Sequence, residues 1–135
     1  PYHATQVSLE QGLRNADIVS LHIPFNDETR HLIDANALSS MKPDAVLINT
    51  SRGGVINERA LVDALSRGVI RGVGLDVYEN EPRLSPGLLE AENCLLLPHI
   101  GTATTEDRKW MTEMAIANLV AGVSCRPLPH PVTIP

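Results

Sequence analysis

The sequence predicts an α/β fold built on a parallel, doubly wound sheet, and three observations carry that expectation. Four apolar runs of strand length, at residues 18–23, 45–48, 70–77 and 94–97, are spread over the first hundred residues. Capped helical segments fall between them, the alternation that builds a parallel sheet through right-handed crossovers. Each run stops on polar, charged or Pro/Gly residues, the kind of loop that lines the ligand-binding rim of an open α/β sheet.

In chain order, Ser8-Leu9-Glu10-Gln11 has capping-box form and opens a short helix to about Asn15. Residues 18–23 follow as a strand that Pro24 ends, because proline cannot continue a central ladder. Residues 25–30 read as loop, and Asp34 caps a helix through Ala37 to Met41. Ala45-Val46-Leu47-Ile48 is continuously apolar, which suits a strand buried on both faces. It stops at Asn49, Thr50 and Ser51, presents Arg52, and then meets Gly53 and Gly54, which let the backbone turn sharply. Asn57 caps a helix to about Arg67, with Gly68 at the C′ position. In the strand at 70–77, Gly72 and Gly74 suggest close backbone packing. Residues 78–83 form a charged loop ending in Glu81-Pro82-Arg83, and Ser85-Pro86 precede a short turn of helix. The last strand, 94–97, closes on Pro98-His99-Ile100-Gly101.

Beyond that point the character changes. Thr104 or Thr105 caps a long helix with Glu106 and Asp107 in its first turn, favourable against the helix dipole. Trp110, Met111, Met114, Ala115, Leu119 and Val120 are spread round its circumference, so burial on more than one side is expected, with Gly122 as its end. The tail carries Pro127, Pro129, Pro131 and Pro135 and is expected to be extended.

The 135 residues are enough for one domain with a real core, which Val, Leu, Ile and Ala must build because only 3% are aromatic. A net charge of −5 argues against nucleic acid or an anionic membrane surface as the main partner, and no apolar run has the length of a membrane span. Cys94 and Cys125 lack metal or redox spacing, so Cys94 reads as a small core residue and a reducing, cytoplasmic setting is the default. The five histidines show no helical or finger spacing, and no metal site is expected. His3, His22, His31 and His130 are read as structural or surface residues.

All strand ends of one kind share one rim of a parallel sheet, so Arg52, Asp76, Glu81 and His99 are expected to face a common cleft. An arginine fork binds a carboxylate through two parallel hydrogen bonds. A histidine titrates near neutrality and can hand a proton to a developing alkoxide. A carboxylate beside it favours the imidazolium and fixes which ring nitrogen faces the substrate. This set suits reduction of a 2-keto acid by hydride, which a cofactor must supply. Each residue also has a plainer reading: Arg52 and Glu81 as solvated loop charges, Asp76 as a turn cap, His99 as a satisfied histidine at a strand end. Gly72-Val73-Gly74 mimics the start of a dinucleotide fingerprint but lies inside a strand and lacks the third glycine.

Three blocks now stand in order: Asn49-Thr50-Ser51-Arg52-Gly53, Gly74-Leu75-Asp76-Val77 with Glu81-Pro82, and Pro98-His99-Ile100-Gly101-Thr102-Ala103-Thr104. With Leu21-His22-Ile23-Pro24 they resemble the D-isomer-specific 2-hydroxyacid dehydrogenases over nearly the whole chain, in a form similar to glyoxylate/hydroxypyruvate reductases. The resemblance implies that Arg52 binds the substrate carboxylate, His99 is the acid/base and Glu81 its partner. It also implies that Asp76 meets the nicotinamide end of NAD or NADP, with Pro24, Thr50, Arg52, His99 and Gly101 around the cofactor. A small 2-keto or 2-hydroxy acid is the implied substrate, and a homodimer the implied assembly. The fold it implies is Rossmann-like and incomplete: 1–103 the C-terminal half of an NAD(P)-binding domain, 104–122 an interdomain helix, 123–135 a Pro-rich tail. The family's substrate domain and its glycine-rich pyrophosphate turn have no counterpart in these residues, so the chain reads as a cut piece of a longer protein or a truncated gene product. The alternative is a non-catalytic binding module like the corepressors related to this family.

Overall fold

The computed structural model describes residues 3–132, which divide into two compact units, one ending at His99 and one beginning at Ile100. In the first unit, β1 (Ile18–Leu21), β2 (Val46–Asn49), β3 (Gly72–Leu75) and β4 (Cys94–Leu96) form one sheet in that order, each neighbouring pair parallel. The helices α1 (Leu9–Asn15), α2 (Ala35–Ser40) and α3 (Glu58–Ser66) pack as one layer, α1 on α2 and α2 on α3. Strand order follows chain order, so right-handed crossovers lie on one face of these four strands. Among the described residues the sheet is parallel throughout and wound in one direction.

The caps act where the side chains predict them. Ser8 and Gln11 form a reciprocal capping box, and the side chains of Asp34 and Asn57 accept from Ala37 N–H and Ala60 N–H. Gly68, at φ 64°, closes α3 in a Schellman turn: its N–H reaches Leu65 O and that of Val69 reaches Ala64 O. The core under the sheet is aliphatic, with Ile33, Leu38, Leu47, Leu61, Ile70 and Leu88 fully buried. Each such side chain contributes about 1.5–3 kcal/mol of burial.

Three expectations need correction here. β2 is not buried on both faces: Leu47 and Asn49 are buried, whereas Val46 and Ile48 are only half-buried. Register puts Ser20, Ile48, Gly74 and Leu95 in one row of the more open face, and there Gly74 has nothing near it. Gly72 alone meets the close-packing expectation, since a Cβ would lie 2.7 Å from Asn93 O. After Arg52 the backbone turns as expected, in one 3-10 turn at Gly53–Val55, and the two glycines are also required by proximity, because a Cβ on Gly53 would fall 1.9 Å from the Tyr78 carbonyl carbon and one on Gly54 2.6 Å from the Phe25 ring. After Ser85-Pro86 the chain makes hydrogen-bonded turns and no helix.

The second unit is α4 (Thr105–Val123) with the chain that follows it. Thr104 is the N-cap, accepting from Asp107 N–H. Gly122 does not end the helix. Cys125, at φ 51°, takes the C′ position, its N–H bonding Gly122 O while Arg126 N–H bonds Ala121 O. The expected burial of α4 is not met: Ala121 is its one buried residue, and Trp110, Met111, Ile116, Leu119 and Val123 are exposed. The tail lacks regular structure, yet it is tied rather than freely extended, since Asn118 donates to His130 O and accepts from His130 N–H. Residues 133–135, the end of the predicted extended tail, lie outside the described residues, as do residues 1–2. Among the described residues no helix is long and apolar enough to cross a membrane.

Candidate active site

The site is built at the carboxyl rim of the sheet. After β2, Asn49 is fully buried and its side chain shapes the next turn: Oδ1 accepts from Ser51 N–H and Ser51 Oγ–H, and Nδ2 donates to Arg52 O. Thr50 and Arg52 emerge exposed, with Arg52 Nη1 donating 2.7 Å to Ser51 O. After β3, Asp76 is buried at 3% exposure, and the chain turns outward through Tyr78 to a cis Glu81-Pro82 peptide. After β4 the chain reaches His99, whose φ of 53° is left-handed, a conformation uncommon outside glycine and concentrated at functional sites.

Glu81 and His99 meet. His99 Nδ1–H donates to Glu81 Oε2 at 2.8 Å, and Glu81 Oε1 accepts from Tyr78 N–H at 2.9 Å. Tyr78 in turn donates its hydroxyl to Leu97 O at 2.6 Å, tying the Glu81 loop to the strand end that carries His99. The hydrogen bond from His99 holds the Glu81 carboxyl below its ordinary range, helped by Tyr78 N–H and opposed by the nearby charge of Asp76. Because Nδ1 is the nitrogen used, the distal Nε2 is left out of the pair. A cavity of about 340 Å³ opens beside it, lined by Tyr78, Leu84, Leu96 and Pro98 with Glu81 and His99.

The remaining predicted residues are distributed less tightly. Arg52 and Asp76 lie on the same rim but do not line this cavity. Pro24 is exposed just past β1, and Gly101 belongs to the second unit, in the turn before α4. Burial pushes the Cys94 thiol up to about 11, which leaves it inert at neutral pH. Among the described residues no group of His, Cys, Asp and Glu could hold a metal ion.

Glu58 escapes a reading of the sequence, as do the partners of Asn49 and His31. Asn49 shows there as the end of an apolar run and the head of a family block, and His31 as a structural or surface residue. Glu58, 1% exposed, accepts from Glu79 N–H and Ser85 Oγ–H. His31, also at positive φ, pairs through Nε2 with Glu79 Oε1 at 2.6 Å. The contacts of these last two residues span 21 to 48 positions, so no local spacing could have signalled them.

Residues 1–101 match the family described as "D-isomer specific 2-hydroxyacid dehydrogenase, NAD binding domain". The chain belongs to that family. It is 48% identical over 118 residues to the glyoxylate reductase of Thermococcus litoralis, a match covering 87% of this chain and 36% of that protein. Among solved structures, a protein of Thermus thermophilus superposes with a TM-score of 0.91 at 44% identity, covering 98% of this chain and 43% of that one. The NADPH-dependent glyoxylate/hydroxypyruvate reductase of Sinorhizobium meliloti, solved with NADP and malonate, superposes with a TM-score of 0.90 at 35% identity, again covering 98% and 43%. The chain thus spans about a third of the length of the curated dehydrogenases it matches.

Proposed function

We propose that this chain is the C-terminal half of the NAD(P)-binding domain of an enzyme that reduces glyoxylate- or hydroxypyruvate-like 2-keto acids to D-2-hydroxy acids. The observation that carries the reading is the 2.8 Å contact of His99 Nδ1 with Glu81, which leaves Nε2 beside a cavity at the sheet rim. Glu81 holds the ring, and His99 Nε2–H gives its proton to the carbonyl oxygen as that oxygen gains charge. Arg52, on a loop fixed by Asn49, grips the substrate carboxylate in a two-pronged fork. In the same reading residues 104–122 are an interdomain helix.

The donor set fits the nicotinamide end of the cofactor. Asp76 directly follows β3 on the rim, Thr50 is exposed on the neighbouring loop, and Gly74 leaves open space on that face. When bound, the reduced nicotinamide supplies the hydride. Pro24, Thr50, Arg52, Asp76, His99 and Gly101 are the residues assigned to hold NAD or NADP. The test is turnover of glyoxylate and hydroxypyruvate with NADH and NADPH by the full-length protein that contains this chain. Oxidation of the reduced cofactor dependent on either acid is expected. Its absence, with the folded protein binding a partner instead, would favour the corepressor-like alternative.

A further inference from the structure

We propose that Glu58 is a positioning residue for the Glu81–His99 pair, holding from the first turn of α3 both ends of the loop that presents Glu81. Its Oε1 accepts from Glu79 N–H at 2.6 Å and its Oε2 from Ser85 Oγ–H at 2.6 Å. Residues 79 and 85 bracket Glu81-Pro82, so one carboxylate clamps the segment at two points. The loop between them carries little of its own: Arg83 N–H to Asn80 O, and Tyr78 N–H to the Glu81 side chain. Glu58 is 1% exposed and forms no ion pair with a lysine or arginine among the described residues. Its charge is met by those two donors and by the N-terminal end of α3, where the helix dipole favours an anion. Glu79 braces the same junction, its carboxylate taking His31 Nε2 at 2.6 Å and approaching Glu58 N–H at 3.4 Å.

The inference rests on reading Glu81 and His99 as the working pair, but its readout does not need turnover. The experiment is Glu58→Ala in the full chain, with the titration of the Glu81 carboxyl followed by carbon NMR. The groups that face Glu81 are His99, Tyr78 N–H and Asp76. Removing the Glu58 anion can lower the Glu81 titration further through charge alone; losing its position against His99 and Tyr78 raises it. The expected result is therefore a rise toward the ordinary 4.5 in Glu58→Ala. A smaller rise is expected in Ser85→Ala, which removes one of the two donors. Glu58→Gln should show none, because its amide oxygen still accepts from Glu79 N–H and Ser85 Oγ can turn to accept from the amide. An unchanged or lowered Glu81 titration in folded Glu58→Ala overturns the proposal. If that variant does not fold, an unchanged titration in Ser85→Ala overturns it instead. A full-length protein inactive on keto acids yet showing the Glu81 shifts would count against the dehydrogenase reading alone.

Discussion

The first unit contains two histidine–glutamate pairs that look alike and differ in what they leave free. His99 with Glu81 and His31 with Glu79 are within 2.8 and 2.6 Å, both histidines have positive φ, and the two glutamates are two residues apart on one loop. Arg59 lines the cavity beside the second pair, while Arg52 shares the rim of the first without lining its cavity. Residue types and distances therefore do not separate them. The ring nitrogen does. His31 spends its distal Nε2 on Glu79, whose other oxygen faces the backbone of Glu58, so that pair is a strut between the α3 end and the loop. His99 spends the proximal Nδ1, so its distal nitrogen is left out of the pair. In the function proposed above, that distal nitrogen is the one that works.

The sharpest way to break this distinction is to remove each ring in the full-length protein. His99→Ala should lower kcat by about 10²–10⁴-fold, the usual contribution of a positioned acid/base. His31→Ala should spare turnover and cost about 1 kcal/mol of stability, the net worth of one hydrogen-bonded contact. Steady-state kinetics and urea unfolding measure the two. Equal losses of kcat would make both pairs catalytic or both structural.

The contrast also shows which physics is legible along a chain. The N-caps Ser8, Asp34 and Asn57 and the C′ glycine Gly68 act within three or four residues, so local chemistry reveals them. The parallel sheet follows from the alternation of elements, and from it the common rim of Arg52, Asp76, Glu81 and His99. Glu58 and the His31–Glu79 strut join α3 and the loop before α2 to a loop some 20 to 50 residues on, and such pairs exist only once the layers pack. The turn after Arg52 is legible in its two glycines, but the proximity that also requires them is not. Gly53 is demanded by the Tyr78–Glu79 backbone lying against it, a tertiary contact. For α4 the pattern of apolar residues is clear, but its own unit offers only the tail to pack on it.

The two arginines give a smaller and more discriminating test. Arg52→Lys keeps the charge but loses the fork, so kcat/KM should fall about tenfold or more, in line with roughly 1.5–3 kcal/mol for a charged hydrogen bond. Arg59→Lys, beside the strut, should leave kcat/KM unchanged. Unaltered kinetics in Arg52→Lys would reduce Arg52 to a solvated loop charge that bonds its own neighbour's carbonyl.

The smallest expected effect belongs to the Glu81 carboxylate itself. His99 and Tyr78 N–H hold that carboxyl below its ordinary value, so Glu81 meets the ring as an anion at neutral pH. Glu81→Gln keeps the shape and removes the charge, so kcat in reduction should fall. The stability linked to Glu81 has its own window. A depressed carboxyl contributes above its unfolded value and loses that contribution as pH falls through the lowered folded value, so wild type and Glu81→Gln should converge in stability only in acid, which urea unfolding across pH measures. Glu79→Gln, at the strut, should leave kcat where it is. An unchanged kcat in Glu81→Gln would show that the 2.8 Å contact, like its neighbour, is only a brace.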